Sequence, residues 1–145
     1  MSRGYFGVGL DNPKTSSNIG SALRACGVFG GAFMAVSGTR YKGHPADTMR
    51  RHRHMPLHIT DDLYNHIPYD CVPIAVDLIE GAIPLPEYEH PERAFYVFGA
   101  EDATLEKRVL SWCRDVIVIP SNRCLNLAAA VNVVLYDRIA KAHKS

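Results

Sequence analysis

Three short segments of this 145-residue chain place side chains that can hold an anion or a small molecule beside glycines or helix starts. In the first, Asn18-Ile19-Gly20 precedes Arg24 in a predicted helix. The Arg24 guanidinium would lie within two turns of the positively polarised helix start, where it could hold a phosphate by charge-assisted hydrogen bonds. From spacing alone the competing interpretation is structural, with Asn18 as a helix cap and Arg24 as a solvated arginine.

The other two segments follow predicted strands. Gly99 ends an apolar run and Glu101 comes close behind it, so a ligand could approach the backbone with a carboxylate beside it. The structural alternative is a turn at Gly99 with Asp102 capping the next helix. The third segment, residues 119–126, is a polar connection into an apolar helix that starts at Asn126, and its structural interpretation makes Asn126 the cap of that helix. Burial of that helix would draw the connection inward, where a bound small molecule could satisfy its backbone groups.

A basic segment lies between the first of these segments and the other two. Residues 40–58 carry a net charge of +4, the other 126 residues sum to −3, and the whole chain has a formal net charge of +1. This asymmetry predicts an anionic partner on one face, and it favours a solvated or RNA-facing loop. Arginines alternate with histidines at residues 50–54 and repel a cation, so we expect no metal site there. The side chains predicted to bind RNA are Arg40, Lys42, Arg50, Arg51 and Arg53.

Apolar runs and helical periodicity predict the elements that position these residues. Strands that alternate with helices indicate an α/β fold, a mainly parallel sheet flanked by helices, in a single domain over residues 1–145. Ligands of such sheets bind beyond the carboxyl ends of the strands, where residues 77–81, 99–102 and 120–126 fall. The predicted strands are 5–10, 32–36, 72–78, 94–98 and 115–119, the predicted helices are 18–29, 61–67, 102–113 and 126–142, and residues 38–57 are predicted as a long basic loop.

Composition excludes several other classes of protein. The chain is 47% hydrophobic and 21% charged, which is ordinary for a globular protein and excludes a disordered or coiled-coil chain. No apolar run approaches the length of a membrane span, and the first residues lack the apolar stretch of a signal peptide. We therefore expect a cytoplasmic protein whose four cysteines are free thiols.

Together and in this order, the three segments resemble the motifs of the SpoU, or TrmH-like, branch of the SPOUT RNA methyltransferases. Each motif alone is weak, whereas the ordered triple is specific and covers the chain from Gly4 to about Lys141. The length resembles that of minimal members without an extra RNA-binding domain, such as the tRNA wobble-position 2′-O-methyltransferases. The matching stretches are Asn18-x-Gly20-x-x-x-Arg24 for the first motif, Phe98-Gly99-Ala100-Glu101 for the second, and Ile119-Pro120, Leu125-Asn126-Leu127 and Leu135-Tyr136-Asp137 for the third.

The resemblance implies a fold, a cofactor and a reaction. It implies an α/β domain with a deep trefoil knot near its C-terminal end. It also implies homodimers, whose interface is formed by the helices from Asn18 and Asn126 and whose active site is shared across it. The reaction is attack by an RNA ribose 2′-hydroxyl, of tRNA first and of rRNA second, on the methyl group of S-adenosylmethionine. The resemblance places this cofactor against Leu78, Gly99, Ile119, Cys124 and Leu125.

The same resemblance assigns catalytic roles to four residues. A ribose hydroxyl is a poor nucleophile, so the reaction needs a base or a group that stabilises the alkoxide. The family gives this role to the arginine that matches Arg24. Because a guanidinium hardly deprotonates, we expect Arg24 to hold the adjacent phosphate and to stabilise the developing alkoxide. Asn18, Glu101 and Asn126 would orient Arg24 and the ribose.

The sequence departs from the family pattern around the cofactor. Thr104 replaces the glycine of the second motif, Ser121 replaces the methionine after Ile-Pro, and Cys124 replaces the serine before Leu-Asn. The stretch 119–124 is also a few residues shorter than usual. These departures keep an alternative open, a knotted RNA-binding pseudoenzyme that does not methylate. A small-molecule α/β enzyme is a third interpretation, which the basic segment disfavours.

Overall fold

The computed structural model describes residues 4–38, 55–100 and 103–144. Strands and helices alternate along these ranges, as the sequence predicts for an α/β fold. The strands are β1 (Tyr5–Asp11), β2 (Phe33–Ser37), β3 (Leu57–Thr60), β4 (Val72–Val76), β5 (Ile83–Pro84), β6 (Arg93–Gly99) and β7 (Asp115–Val118). The α-helices are α1 (Ser16–Val28), α2 (Lys107–Trp112) and α3 (Leu127–Lys144), and two 3-10 helices span Leu63–His66 and Leu85–Glu87.

The strands form one parallel sheet in the order β3-β2-β1-β6-β4-β7-β5, which confirms the predicted architecture. On one face α1 packs against α3, and on the other lie the 3-10 helix 63–66 and α2. Both faces are therefore buried, and the consecutive residues Phe95 and Tyr96 of β6 are each fully buried in opposite cores. Parallel pairing brings the carboxyl ends of β4, β6 and β7 to one edge. The trefoil knot that the resemblance implies stays a prediction.

The start of α1 differs from the predicted one. Thr15 is the N-cap, and its hydroxyl oxygen accepts a hydrogen bond of 3.2 Å from the backbone N–H of Asn18. Asn18 lies in the first turn of the helix with its side chain buried, so the prediction that it caps α1 is wrong. Threonine and asparagine both favour helix starts, and the apolar periodicity begins only at Ile19, which is why the sequence pointed to the later residue.

The helix α2 is shorter than the predicted helix 102–113. Residues 103–106 are not helical, and two of their backbone donors bind at other places in the fold. The N–H of Ala103 donates to the carbonyl of Ala100 at 3.2 Å, and the N–H of Leu105 donates to the Asp77 carboxylate at 2.9 Å. Glu106 then stands at the N-cap position without a side-chain capping bond. Asp102, the cap considered from the sequence, lies outside the described residues.

Two edge strands are missing from the sequence prediction. Strand β3 begins at the end of the predicted loop 38–57, and Leu57 is the one buried residue of its four. Strand β5 has two residues and one of them is a proline, which is tolerated at the edge of a sheet. Neither strand carries a buried apolar run, so periodicity cannot reveal them. The predicted helix 61–67 is a short 3-10 helix instead.

The C-terminal half of α3 is fastened to the segment 85–92 by buried polar contacts. Arg138, which is buried, donates hydrogen bonds to the carbonyls of Pro91 and Glu92 at 2.8 and 2.7 Å and to the Tyr96 hydroxyl at 3.0 Å. One turn later, the ammonium of Lys141 donates to the carbonyl oxygens of Leu85 and Tyr88 at 2.6 and 2.7 Å and pairs with Asp137 at 2.8 Å. These contacts fix the end of the helix against the body of the sheet.

Three further observations concern the chemistry of the described residues. All four cysteines, Cys26, Cys71, Cys113 and Cys124, are unpaired, which confirms the predicted free thiols. Within the described ranges, no cluster of three or more His, Cys, Asp or Glu side chains is arranged to hold a metal ion, and the histidine-rich stretch 50–54 lies outside those ranges. None of the helices described is long and apolar enough to cross a membrane.

Candidate cofactor and active site

A cleft opens at the carboxyl ends of β4, β6 and β7, the edge where the sequence predicts a ligand. Its empty volume, including the part open to solvent, is about 560 Å³. The walls are mainly apolar. All five residues that the resemblance places against the cofactor line this cleft, namely Leu78, Gly99, Ile119, Cys124 and Leu125.

The cleft also includes residues to which the sequence assigns no contact with a cofactor. Most are apolar residues at strand ends or in the first turn of α3, and their position at the carboxyl edge is the signal that could have found them. Asp77 is the acidic one, and it follows directly after the buried strand β4. The additional lining residues are Val76, Asp77, Phe98, Ala100, Ala103, Val118, Ser121, Leu127 and Ala130.

The loop between β7 and α3 forms one wall of the cleft despite its departures from the family pattern. The hydroxyl of Ser121 lies 2.9 Å from the carbonyl oxygen of Arg123 and 3.2 Å from that of Ile119, so it donates within its own loop. Cys124 is exposed in this loop and lines the cleft. The short loop is thus closed by its own side chain and still contributes to the cleft.

A hydrogen bond between two asparagines joins the first and third segments of the sequence. The Nδ2 of Asn126 donates to the Oδ1 of Asn18 at 3.0 Å, across 108 positions of sequence. The Oδ1 of Asn126 accepts hydrogen bonds from the backbone N–H groups of Ala128 and Ala129 at 2.9 and 3.3 Å. Asn126 therefore caps α3, as predicted, and ties it to α1. Its neighbours Leu125 and Leu127 line the cleft, so this bond lies at the edge of the cleft.

Arg24 is not brought to the cleft of its own chain. It lies six residues after Asn18 in α1, about 9 Å along the helix axis, and its side chain is exposed. The helix starts at the carboxyl edge of the sheet and leads back towards the start of β2, so Arg24 lies away from that edge. The remaining predicted site residues lie outside the described residues, namely Glu101 of the catalytic set and Arg40, Lys42, Arg50, Arg51 and Arg53 of the RNA-binding set.

Several solved structures share this fold at low sequence identity. The A. aeolicus TrmH/SpoU tRNA modifying enzyme is 18% identical with a TM-score of 0.82, and the alignment covers 96% of this chain and 76% of that one. The SpoU methyltransferase AviRb from Streptomyces viridochromogenes, in complex with AdoMet, is 20% identical with a TM-score of 0.84 over 97% of this chain and 59% of that one. A structure concerned with 2-OH methylation of C/U34 on tRNA is 21% identical with a TM-score of 0.83 over 99% and 100%.

The sequence itself assigns the family. Its residues 5–136 match the SpoU rRNA Methylase family, and this range contains all three motif segments. A comparison with curated protein sequences found no match. The five predicted cofactor residues gather around one cleft, and the asparagine pair joins the remaining motif to its edge. The chain belongs to the SpoU rRNA Methylase family, whose members are RNA methyltransferases.

Proposed function

We propose that this protein is an RNA ribose 2′-O-methyltransferase and that tRNA is its substrate. Its family is one of RNA methyltransferases that use S-adenosylmethionine, which is therefore its cofactor. The observation that carries the finer proposal is the Asn18–Asn126 hydrogen bond, because it brings the first motif to the edge of a cleft built by the other two. The neighbour concerned with methylation of C/U34 on tRNA supports the substrate, since this chain spans its whole length.

The cleft fits the cofactor chemically. When bound, S-adenosylmethionine supplies an electrophilic methyl group, and its adenine ring needs an apolar slot with a few polar groups at its rim. The side chains of Leu78, Ile119 and Leu125 offer apolar walls, and the strand ends offer backbone donors and acceptors. The wall formed by residues 119–125 supports a cofactor site in this chain despite Ser121 and Cys124.

We assign Arg24 to the phosphate and the developing ribose alkoxide. Among the described residues the Arg24 side chain makes no hydrogen bond or ion pair, and it is exposed, so its guanidinium can be offered to RNA. A guanidinium presents up to five N–H donors in a fixed plane, which suits a phosphate oxygen and an alkoxide together. The buried Asn18, held by Asn126, fixes the first turn of the helix that carries Arg24.

We propose in addition that the protein is a homodimer with a shared active site. An apolar patch is exposed where the end of α1 meets α3, with Val28 66%, Tyr136 63% and Val133 39% exposed. The Tyr136 ring packs edge-on against Phe29, with ring centroids 6.4 Å apart, which joins the two helices into one surface. The family resemblance implies an active site shared across such an interface, so we assign Arg24 of each subunit to the cleft of the other. Sedimentation of a monomer at micromolar concentration would contradict this proposal.

A second candidate function is RNA binding without methylation. It is favoured by the replacements at Ser121 and Cys124, which line the cleft, and at Thr104, which follows the lining residue Ala103. The two candidates differ in cofactor binding, since a pseudoenzyme of this kind would have lost it. Methylation of rRNA rather than tRNA is the alternative on the substrate side, and it leaves the chemistry of the site unchanged.

The proposal is tested by methyl transfer from labelled S-adenosylmethionine to undermodified bulk tRNA and rRNA, with digestion and identification of the labelled nucleosides. We expect a labelled 2′-O-methyl nucleoside from tRNA. Both Arg24→Ala and Arg24→Lys should lower kcat by about a hundredfold or more, since a lysine lacks the planar fork. Arg93→Lys is the matched control, because Arg93 pairs with Asp70 at the opposite edge of the sheet.

The possible results separate the candidates. Label on a nucleobase would contradict ribose methylation. Label on rRNA alone would contradict tRNA as the substrate and favour rRNA. No label together with no cofactor binding would favour the pseudoenzyme. An Arg24→Lys variant with full turnover would contradict the role assigned to the guanidinium.

A further inference from the structure

Asp77 connects three segments around the cofactor cleft, although it belongs to none of the three motifs. Its carboxylate accepts two backbone hydrogen bonds, at Oδ1 from the N–H of Leu78 at 2.8 Å and at Oδ2 from the N–H of Leu105 at 2.9 Å. Its own backbone N–H donates to the carbonyl of Ile117 in β7 at 3.0 Å. One residue therefore ties the end of β4, the segment before α2 and strand β7 to one another.

Two of these contacts set the positions of cleft walls. Leu78, which is 50% exposed, lines the cleft. Leu105 is buried and lies two residues after Ala103, which lines the cleft. The side chain of Leu105 also packs closely against the end of β6, since a Cβ added at Gly99 would lie 3.2 Å from it. A shift of Leu105 would therefore move the wall formed by Gly99 and Ala103.

The segment 103–106 needs such an anchor in this chain. It precedes α2 without being helical, and the helical hydrogen bond from the N–H of Leu110 reaches only its last residue, at the carbonyl of Glu106, at 3.0 Å. Thr104 stands in it where the resemblance leads us to expect a glycine. The bond from Leu105 to Asp77 spans 28 positions of sequence and fixes this segment to a neighbouring strand end. Hydrogen bonds to an ionised carboxylate are stronger than those between neutral groups.

We propose that Asp77 is a positioning residue for the cofactor, because it holds Leu78 and the 103–105 segment at the separation that the cofactor requires. It acts by holding these two walls and not by attracting the positive sulfonium of the cofactor. This inference rests on the proposed function only in that the cleft binds S-adenosylmethionine.

The test is the Asp77→Asn variant, which keeps the size of the side chain. An amide has one acceptor oxygen, so one of the two N–H donors would face an NH2 group instead. We expect the Kd for S-adenosylmethionine, measured by calorimetry, to rise about tenfold or more, which is the loss expected for a charge-assisted hydrogen bond. The Kd for S-adenosylhomocysteine, which lacks the positive sulfonium, should rise by the same factor, and kcat at saturating cofactor should be unchanged.

Asp70→Asn is the matched control. Asp70 is an exposed aspartate at the other edge of the sheet. Its Oδ1 lies 2.6 Å from the Nε of Arg93, with which it forms an ion pair. Its φ of 67° is one that asparagine adopts readily, so this variant should fold and bind both ligands like the wild type. Thermal unfolding of each variant, and amide exchange at Leu105, show whether a change is local to the anchor.

Two results would overturn the inference. One is a folded Asp77→Asn protein that binds both ligands like the wild type. The other is a loss of affinity for S-adenosylmethionine alone, which would mean that the carboxylate attracts the sulfonium instead of positioning the walls. If Asp77→Asn does not fold, Asp77→Thr replaces it in the test, because the threonine hydroxyl can accept one of the two hydrogen bonds. We expect the Kd for both ligands to rise in this variant too, by a smaller factor. A wild type that binds the cofactor but methylates no RNA would overturn the proposed function and leave this inference standing.

Discussion

The two ends of α3 both carry polar side chains, but they use them differently. At the start of the helix Asn126 is exposed, caps the helix and binds Asn18 beside an open cleft. Near the other end Arg138 is buried, and its guanidinium is committed to two carbonyls and a tyrosine hydroxyl. The first arrangement leaves an edge where a ligand can bind, whereas the second closes the structure around its own hydrogen bonds.

A second hollow lies near the C-terminal end of α3, beside Arg138 and the segment 87–92, and we call this region the closed end. It is larger than the cleft, so size does not identify the functional site. Its empty volume is about 1,080 Å³, against about 560 Å³ for the cleft. It is lined by the segment 87–92, Arg138 and Lys141. Both cations hold backbone carbonyls of that segment, which makes them structural ties. Two motif segments line the cleft and the first reaches its edge through Asn18, which is why we assign the cofactor to the cleft and not to the larger hollow.

The polar network at the closed end has a defined direction. Arg138 can only donate, so the Tyr96 oxygen accepts from it at 3.0 Å. The Tyr96 hydroxyl then donates to Nδ1 of His90 at 2.7 Å, and a neutral His90 donates from Nε2 to Asp137 at 2.7 Å. Lys141 completes the chain by donating to the same Asp137 carboxylate. His90 fits these contacts in its neutral form, which couples the closed end to pH.

The largest expected effect is on stability, from Arg138→Met. The variant leaves buried carbonyls at Pro91 and Glu92 without their donor, and we expect the free energy of unfolding to fall by about 3 kcal/mol or more. Urea denaturation measures this loss. The Kd for S-adenosylmethionine of the folded protein should be unchanged. The control, Arg108→Met, removes an arginine whose side chain is 57% exposed, and it should cost less than about 0.5 kcal/mol.

If Arg138→Met binds the cofactor more weakly than its fraction of unfolded molecules explains, the distinction between the two ends of α3 fails. Equal losses of stability in Arg138→Met and Arg108→Met would break it in another way, because the buried ties would then contribute no more than an exposed arginine.

Asn126→Ala should have a smaller effect on stability and a larger one on methyl transfer. It removes the cap of α3 and the bond to Asn18, and we expect a loss of about 1–2 kcal/mol in the free energy of unfolding. Methyl transfer should fall further than that loss explains. A double-mutant cycle combines Asn126→Ala with Asn18→Ala. We expect it to give a coupling free energy of about 0.5–1.5 kcal/mol between the two side chains.

Asn65→Ala is the control for this pair. Asn65 is exposed in the 3-10 helix 63–66, on the other face of the sheet from α1 and α3. Its removal should leave methyl transfer intact. A cycle in which Asn18 and Asn126 are additive would show that their contact does not connect the motifs.

The closed end should also make stability depend on pH through His90. Burial lowers the pKa of His90 below its ordinary 6.5, as do the charges of Lys141 and Arg138, while Asp137 opposes them. The unfolded chain therefore binds the proton at a higher pH than the folded one. The stabilisation is present above pH 6.5 and is lost as the pH falls towards the folded pKa, at about 1.4 kcal/mol for each unit of lowering.

Comparison of wild type with His90→Gln isolates this effect, because the other titrating groups are common to both proteins. The difference between their free energies of unfolding should shrink as the pH falls below 6.5. A difference that grows on acidification would mean that His90 is charged in the folded protein.

The smallest expected effect comes from the open end. Ser121→Ala removes a hydroxyl that donates within an exposed loop, and we expect less than about 0.5 kcal/mol of stability to be lost. The Kd for S-adenosylmethionine should rise only slightly. A large loss of cofactor affinity, measured by calorimetry, would show that this hydroxyl contacts the cofactor instead of closing its loop.

The sequence predicts the centre of this molecule better than its edges. The apolar runs of β1, β2, β4, β6 and β7 identify the strands whose burial on both faces leaves a signal, and the motif segments identify the cleft at their carboxyl ends. Strands β3 and β5 are short and partly exposed, so periodicity misses them. The N-cap of α1 is missed because two residue types that favour caps lie three positions apart.

Long-range polar contacts are the part of the site that the sequence cannot predict. The bond between Asn18 and Asn126 spans 108 positions, and the bond from Leu105 to Asp77 spans 28. Each depends on how strand ends meet in the folded sheet, which no local pattern encodes. The non-helical segment before α2 was missed in the same way, because its anchor at Asp77 is distant in sequence.

The most direct test of this account is an NMR titration of the protein with S-adenosylmethionine, with the backbone amides assigned. We predict that the resonances that move are those of the cleft at the carboxyl edge, among them Leu78, Gly99, Leu125 and Leu127, while those of the segment 87–92 at the closed end stay in place. Shifts concentrated at residues 87–92, or no shifts at all at millimolar cofactor, would contradict the assignment of the cleft as the cofactor site.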